Sequence, residues 1–185
     1  MVEPLGQLMV TRDVKRTTGE TDTLIQQIEA RQILGEQGKM PAVTIYPEGC
    51  TTNGTCIIKF RKGAFGSLRK VKPYFSKIWT LTGIRPVHGD SISTWAYFGI
   101  LFGQGFNIYT LYEMPVFEPN EYFWEHHWDG KEQKWIAYAR AMQIIMAEQG
   151  GFELSDSMME DMLEYRKLMR SHKSVIKGHV GEDKK

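Results

Sequence analysis

Acidic residues are missing from the whole stretch between Glu48 and Asp90, although the chain carries 22 of them in 185 residues. The same stretch holds Lys59, Arg61, Lys62, Arg69, Lys70, Lys72, Lys77 and Arg85. It reads either as a solvated basic face or as a surface for anionic lipid headgroups or a phosphorylated substrate. The net charge is only +1, so no global charge argues for a nucleic-acid or membrane partner. The aromatics inside the stretch, Phe60, Phe65, Tyr74 and Phe75, look like core rather than stacking platforms, and no nucleic-acid partner is expected.

Cysteine is scarce too. Cys50 and Cys56 are the only two, and their spacing is neither C-x-x-C nor a disulfide framework, so reduced thiols are expected. Long hydrophobic runs are lacking. The 22 uncharged residues from Ser91 to Tyr112 come nearest, but they include Gln104 and Asn107 and break at Gly103-Gln104-Gly105. A bilayer span needs about 20 predominantly apolar residues, so none is expected. Met1-Val2-Glu3-Pro4 is too mixed to open a signal peptide. Trp95, Tyr97, Phe98 and Phe102 could still lie at a membrane interface beside the basic stretch, or simply be core.

What the chain does have is alternation of strand and helix patterns. At 42% hydrophobic and 12% aromatic, its 185 residues can bury one ordinary core. Gly6 to Arg12 reads as a short strand. A helix capped by Thr21 or Asp22 runs through Ile25 and Ile28 to about Leu34, with Gly35 and Gly38 as its stop. Ala42 to Tyr46 reads as a strand delivered into Glu48. Ile57 to Phe65 is short helix or irregular, and a strand begins at Val71-Lys72-Pro73-Tyr74. Thr94 to Phe102 predicts a helix, Phe106 to Tyr112 a strand, and Trp135 to Gln149 a helix stopped by Gly150-Gly151. Ser157-x-x-Glu160 predicts a capping box for a last helix. Such alternation argues an α/β fold, in which ligands gather where strands end. Arg12 and Glu48 both fall at predicted strand ends.

Candidate chemistry centres on Tyr46-Pro47-Glu48-Gly49-Cys50-Thr51-Thr52-Asn53-Gly54 and on Phe60-Arg61-Lys62-Gly63-Ala64-Phe65. The amides of Gly49, Cys50 and Thr51 can donate to a phosphate. Glu48 can orient a basic residue or accept a substrate hydroxyl. Cys50 at a glycine turn could be an activated thiol, but no histidine lies near it in sequence. His126 and His127 are read as part of a polar loop, and His88-Gly89-Asp90 as a turn. Glu125, His126, His127 and Asp129 are too tightly spaced for one helical face, so no metal is expected.

These two segments resemble the P-E-G-T and F-K-x-G-A-F signatures of the glycerophospholipid acyltransferases, especially the lysophosphatidylcholine and lysophosphatidylethanolamine branch. Gly6 to Arg12 resembles the family block whose arginine binds glycerol phosphate, and Val71 to Tyr74 the block whose proline shapes the acceptor pocket. Met114-Pro115-Val116-Phe117 and Pro119 match what usually follows, so roughly Gly6 to Met146 is covered. Many members have Thr where this chain has Cys50, and Arg where it has Thr51.

The resemblance implies a mixed sheet flanked by helices, glycerolphosphate acyltransferase-like and N-terminally incomplete. It implies one partial domain over 1–176, with a charged, disordered tail over 177–185. It implies acyl transfer from acyl-CoA, as co-substrate without further cofactor, to a lysophospholipid or glycerol phosphate hydroxyl. Arg12, Glu48, Gly49, Cys50 and Thr51 would bind substrate. The family's catalytic H-x-x-x-x-D has no counterpart: the fifth residue after each histidine is Ser93, Lys131, Glu132, Lys177 or Lys184. No catalytic residue is therefore assigned, and these residues alone are expected to be inactive. The expected setting is a membrane surface, on the cytosolic face of the endoplasmic reticulum. The alternative is a non-catalytic acyltransferase-like subunit of a membrane-associated assembly.

Overall fold

A computed structural model describes residues 18–52, 54–83, 93–165 and 167–168. Its elements are α1 (Thr18–Glu36), β1 (Cys56–Ile57), a 3-10 turn (Lys62–Ala64), β2 (Tyr74–Thr80), α2 (Thr94–Gly103), β3 (Asn107–Glu113), α3 (Glu121–His127), α4 (Lys134–Gly150) and β4 (Glu153–Leu154). Residues 159–165 are helical as well. Strands β2 and β3 pair antiparallel, and β1 pairs parallel with β4. Helices thus mix with parallel and antiparallel strands, the α/β character expected. The strand expected over Gly6–Arg12, the tail over 177–185 and His88 lie outside the described residues.

The chain divides into two compact units. The first comprises Met1–Pro47, Arg61–Val71 and Val116–Ala141. Its core is built on α4, whose Ala137, Tyr138 and Ala139 are buried. Tyr138 has no solvent exposure, and its hydroxyl donates to the Arg69 carbonyl at 3.0 Å with the Phe117 carbonyl 3.3 Å away. Phe65 meets its ring edge-on at 5.1 Å, and Phe117 and Phe123 complete the cluster. Burial pushes the Tyr138 phenol well above its ordinary value, against the neighbouring Val71 hydrogen bond and aided by the Glu118 charge.

Helix α1 buries Ile25 and Ile28 in this unit. Gly66 passes so close that a Cβ there would lie 3.0 Å from Ile25 Cδ1 and 3.1 Å from the Lys62 carbonyl. The helix begins before the predicted Thr21 or Asp22 cap, and Gly35 lies inside it. Gly38 takes the stop instead: at φ +69 it lets Lys39 N–H reach the Leu34 carbonyl at 3.0 Å, closing the helix end.

The expected strand from Ala42 to Tyr46 is not found. Val43 and Ile45 are half-buried while Ala42, Thr44 and Tyr46 are exposed, the alternation of a strand. Yet no described segment pairs with it. The sequence pattern gives the two faces but not the ladder, which needs a neighbouring backbone.

The second unit comprises Glu48–Phe60, Lys72–Pro115 and Met142–Lys185. Its buried apolar residues include Ile57, Ile58, Phe60, Phe75 and Met142. Phe75 stacks on its cross-strand partner Tyr112 at 5.1 Å and takes the Phe152 ring edge-on at 5.4 Å. The predicted Gly150-Gly151 stop holds. Gly151 has φ +62, and Phe152 N–H donates to the Ala147 carbonyl at 2.9 Å. Phe152 folds back so closely that a Cβ on Gly150 would overlap its ring.

Two elements escaped sequence reasoning. Helix α3 places His126 and His127 on a helix rather than in a loop. Asn120 caps it by accepting the Phe123 N–H at 2.9 Å, and Phe123 pins its inner face. Its seven residues are too few for a clear period. Strand β4 is only two residues, recognisable through its partner β1 alone.

Candidate functional site

The turn after Tyr46 is built by backbone constraint. Gly49 has φ +73 and Gly54 has φ +72, a conformation that favours glycine. Glu48, Gly49 and Cys50 are half-buried and Thr51 is exposed. Glu48 does not point free into solvent: its Oε1 accepts the Ile58 N–H at 3.1 Å. Burial raises its carboxyl above the ordinary value, and that hydrogen bond only partly opposes the shift. Glu48 therefore ties the start of the turn to its end, which leaves the amides of Gly49 to Thr51 on a loop with two fixed ends.

The far end is fixed again by β1. Glu153 N–H donates to the Thr55 carbonyl at 3.1 Å, Ser155 N–H to Ile57 at 3.0 Å and Lys59 N–H to Ser157 at 3.0 Å. Gln143, buried on α4, extends its Nε2 to the carbonyls of Ile57 (3.3 Å) and Ser155 (3.4 Å). Gln143 is the residue that sequence reasoning missed. Its signal was a polar amide beside buried Met142 within the apolar stripe of a helix, where a buried amide needs partners.

The expected site residues are thus partly placed. Glu48, Gly49, Cys50 and Thr51 share one turn. Arg12 lies outside the described residues, so its expected position beside Glu48 is not shown. Cys50 and Cys56 are both thiols without a disulfide. Arg61 N–H donates to the Pro47 carbonyl at 2.8 Å.

The basic stretch is less available than its sequence suggests. Lys59 pairs with Asp156 at 3.1 Å, and Lys72 with Glu113. Arg69 pairs with Glu36 at 3.0 Å and Glu29 at 3.6 Å, and Lys70 lies 3.9 Å from Glu36. Lys77 sits 5.8 Å over the rings of both Tyr112 and Phe152. Carboxylates distant in sequence neutralise much of what reads as an unopposed cationic run.

Glu125, His126, His127, Trp128, Asp129 and Arg140 line an open depression of about 480 Å³. Two of its polar groups are engaged locally: His126 Nδ1 donates to the Tyr122 carbonyl at 2.8 Å, and Arg140 grips Glu132. Among the described residues no three metal-ligating side chains converge. Nor is any described helix long and apolar enough to cross a membrane.

No family model matches the chain, and no solved structure matches it. Curated proteins do. Lysophosphatidylcholine acyltransferase 1 of Homo sapiens is 29% identical over 165 residues, 87% of this chain and 28% of that protein. Lysophosphatidylcholine acyltransferase 2 of Homo sapiens is 27% identical over 168 residues, 86% of this chain and 26% of that protein. Lysophospholipid acyltransferase LPEAT1 of Arabidopsis thaliana is 25% identical over 170 residues, 88% of this chain and 37% of that protein. Over most of its length the chain is similar to these lysophospholipid acyltransferases, which supports the acyltransferase resemblance. It spans roughly a quarter to a third of the length of the relatives first matched, 28% and 26%.

Proposed function

We propose that this chain forms the acceptor-binding part of a lysophospholipid acyltransferase, which moves an acyl group from acyl-CoA to a glycerolipid hydroxyl at a membrane surface. The observation that carries this reading is the shared similarity to lysophospholipid acyltransferases over 86–88% of the chain. The tethered Glu48–Thr51 turn supports it, because amides on a loop with fixed ends can be held ready for a phosphate. In this reading Gly49, Cys50 and Thr51 face the substrate phosphate, and Arg12 is a further substrate-binding residue. Glu48 shapes the turn through Ile58 and accepts a substrate hydroxyl or orients a basic residue. The substrate is a lysophospholipid or glycerol phosphate, and the setting is the cytosolic face of the endoplasmic reticulum. A glycerolphosphate acyltransferase-like fold is part of the same reading.

The reaction needs a general base to take the proton of the acceptor hydroxyl as it attacks the thioester. No H-x-x-x-x-D occurs in these residues. The nearest pattern, His127 to Glu132, lies on and beyond α3, and Glu132 there holds Arg140. General-base loss costs about 10²–10⁴-fold, so the 185 residues alone are expected to show no acyl-CoA-dependent turnover. The test has two arms. Purified chain is assayed with acyl-CoA and lysophosphatidylcholine or lysophosphatidylethanolamine, and robust turnover would mean that the base lies within it. Separately, lysophosphatidylcholine binding is measured by calorimetry. Absence of binding by a folded chain would sink the acceptor-site reading and favour a non-catalytic subunit.

A further inference from the structure

Helix α2 carries no charged residue, and none of its ten residues is buried. Its exposure is nevertheless sided. Trp95 (85% exposed), Phe98 (40%) and Phe102 (77%) follow one another at i, i+3 and i+7, one stripe of a helix. Tyr97, Ile100 and Leu101 are only half-exposed. The aromatic stripe is the outward one, the reverse of what water selects.

The same character continues past the Gly105 turn. Phe106 is 58% exposed and lies 6.4 Å from the ring of Trp79, itself 52% exposed. On β3, Ile108, Tyr109 and Leu111 are at least half-exposed, so both faces of that strand are open. No charged residue occurs from Ser91 to Tyr112. Lys77 closes the surface, its ammonium over Tyr112.

We propose that the Trp95–Phe98–Phe102 stripe, together with the Trp79–Phe106 pair, is the face by which this chain lies on a lipid leaflet, entering it by apolar contact rather than by charge attraction. The proposal rests on the membrane setting of the acyltransferase reading and names the surface and the force. Protein partners match an apolar centre to a hydrogen-bonding rim. Here the described residues from Ser93 to Tyr112 supply no charged group to such a rim. Tryptophan and tyrosine suit the boundary between acyl chains and headgroups. At about 15 Å long, α2 is half of a bilayer's apolar thickness, so it lies in the leaflet and does not cross it. Lys59, Arg69 and Lys72, which would otherwise supply attraction, are paired with Asp156, Glu36 and Glu113.

The experiment is flotation of the full 185-residue chain with phosphatidylcholine vesicles, and with vesicles in which part of that lipid is phosphatidylserine, at low and high salt. Comparable binding to both, little changed by salt, is expected. A Trp95→Ser, Phe98→Ser, Phe102→Ser variant should lose about tenfold or more, since each buried aromatic is worth roughly that factor. These side chains are exposed, so its thermal midpoint should match wild type. Should it fail to fold, the wild-type and Trp95→Phe chains provide a second readout: brominated phosphatidylcholine should quench a tryptophan signal that Trp95→Phe removes. Unaltered flotation of the folded triple variant would overturn the proposal. So would binding confined to anionic vesicles and released by salt, or no quenching. Concentration-dependent self-association that the triple variant abolishes, without flotation, would assign the face to a second copy of the chain. None of these outcomes depends on turnover or lysolipid binding, so this proposal and the acyltransferase reading fail separately.

Discussion

The same kinds of side chain meet opposite fates in the two units. In the first, Phe65, Phe117, Phe123 and Trp124 close around Tyr138, which has no exposure at all. In the second, Trp95, Phe102, Phe106 and Tyr109 stand 58–85% exposed. Aromatic content therefore does not predict burial. Tyr138 is buried because its one polar atom has a carbonyl to bond, so the whole side chain can leave water. The stripe on α2 has neighbours of its own kind, with Phe98 stacked 6.1 Å from Phe102, but nothing described lies over them. A surface of that character marks an interaction site.

The sharpest way to break the comparison is to truncate both sides of it. Tyr138→Ala should cost about 3–5 kcal/mol, the price of a large aromatic core deletion. Tyr138→Phe should cost about 1–2 kcal/mol by leaving the Arg69 carbonyl short of its donor. Urea unfolding measures both. A loss below about 1 kcal/mol for Tyr138→Ala would show that the first unit does not depend on this cluster.

Next in size is Gly150→Ala, which has no cavity to enter. The added methyl overlaps the Phe152 ring and should cost about 1–3 kcal/mol as strain. A combined Phe152→Leu change should recover part of that loss, because the smaller side chain makes room. No recovery in the thermal midpoint would place the strain elsewhere than at Phe152.

Glu48 separates shape from charge. Glu48→Ala leaves the Ile58 N–H without its acceptor and should cost about 1–3 kcal/mol. Glu48→Gln keeps an acceptor oxygen and removes the ionisation. Because the folded carboxyl titrates above its ordinary value of 4.5, the folded state holds the proton longer than the unfolded one. Wild-type stability therefore falls as pH rises from that value through the raised one, and levels off above it. The Gln variant should lack this fall and match or exceed wild type at neutral pH. A wild type that instead gains stability over the same window would mean an ionised Glu48 with a favourable partner. If Gln also abolishes lysophosphatidylcholine binding while stability is kept, the carboxylate touches substrate as well as Ile58.

Smallest is the effect expected on the exposed side of the comparison. In the absence of lipid, Trp95→Ala and Phe102→Ala should each change stability by no more than about 0.5 kcal/mol, as surface substitutions do. A loss like that of Tyr138→Ala would mean that this stripe is core after all.

Legibility followed how local each feature is. Helices α2 and α4 were readable because their periods and stops lie within themselves, Gly151 supplying the left-handed residue that ends α4. Strands β2 and β3 were readable from composition, and their register then set Phe75 against Tyr112 and Trp79 against Ile108. Ala42 to Tyr46 shows the limit: its alternation was visible, but no described segment pairs with it. Helix α3 was too short to show a period, and β1 with β4 exist only as a pair. For the candidate site, the Glu48–Thr51 turn was legible from its glycine and its neighbours. Its tether to Ile58 and the Gln143 amide behind β1 were not.

By itself the sequence determined helices α2 and α4, the glycine positions that need left-handed backbone, and the resemblance to the acyltransferases. Only the tertiary structure decided which charges remain unopposed and which aromatics remain wet. The reason is distance along the chain. Lys59 is neutralised by Asp156 and Arg69 by Glu29 and Glu36, partners that no window of sequence brings together. Tyr138 disappears into carbonyls of Arg69 and Phe117, whereas Trp95 finds no such cover. Burial and charge pairing are sums over neighbours in space, and a chain acquires those neighbours only by folding.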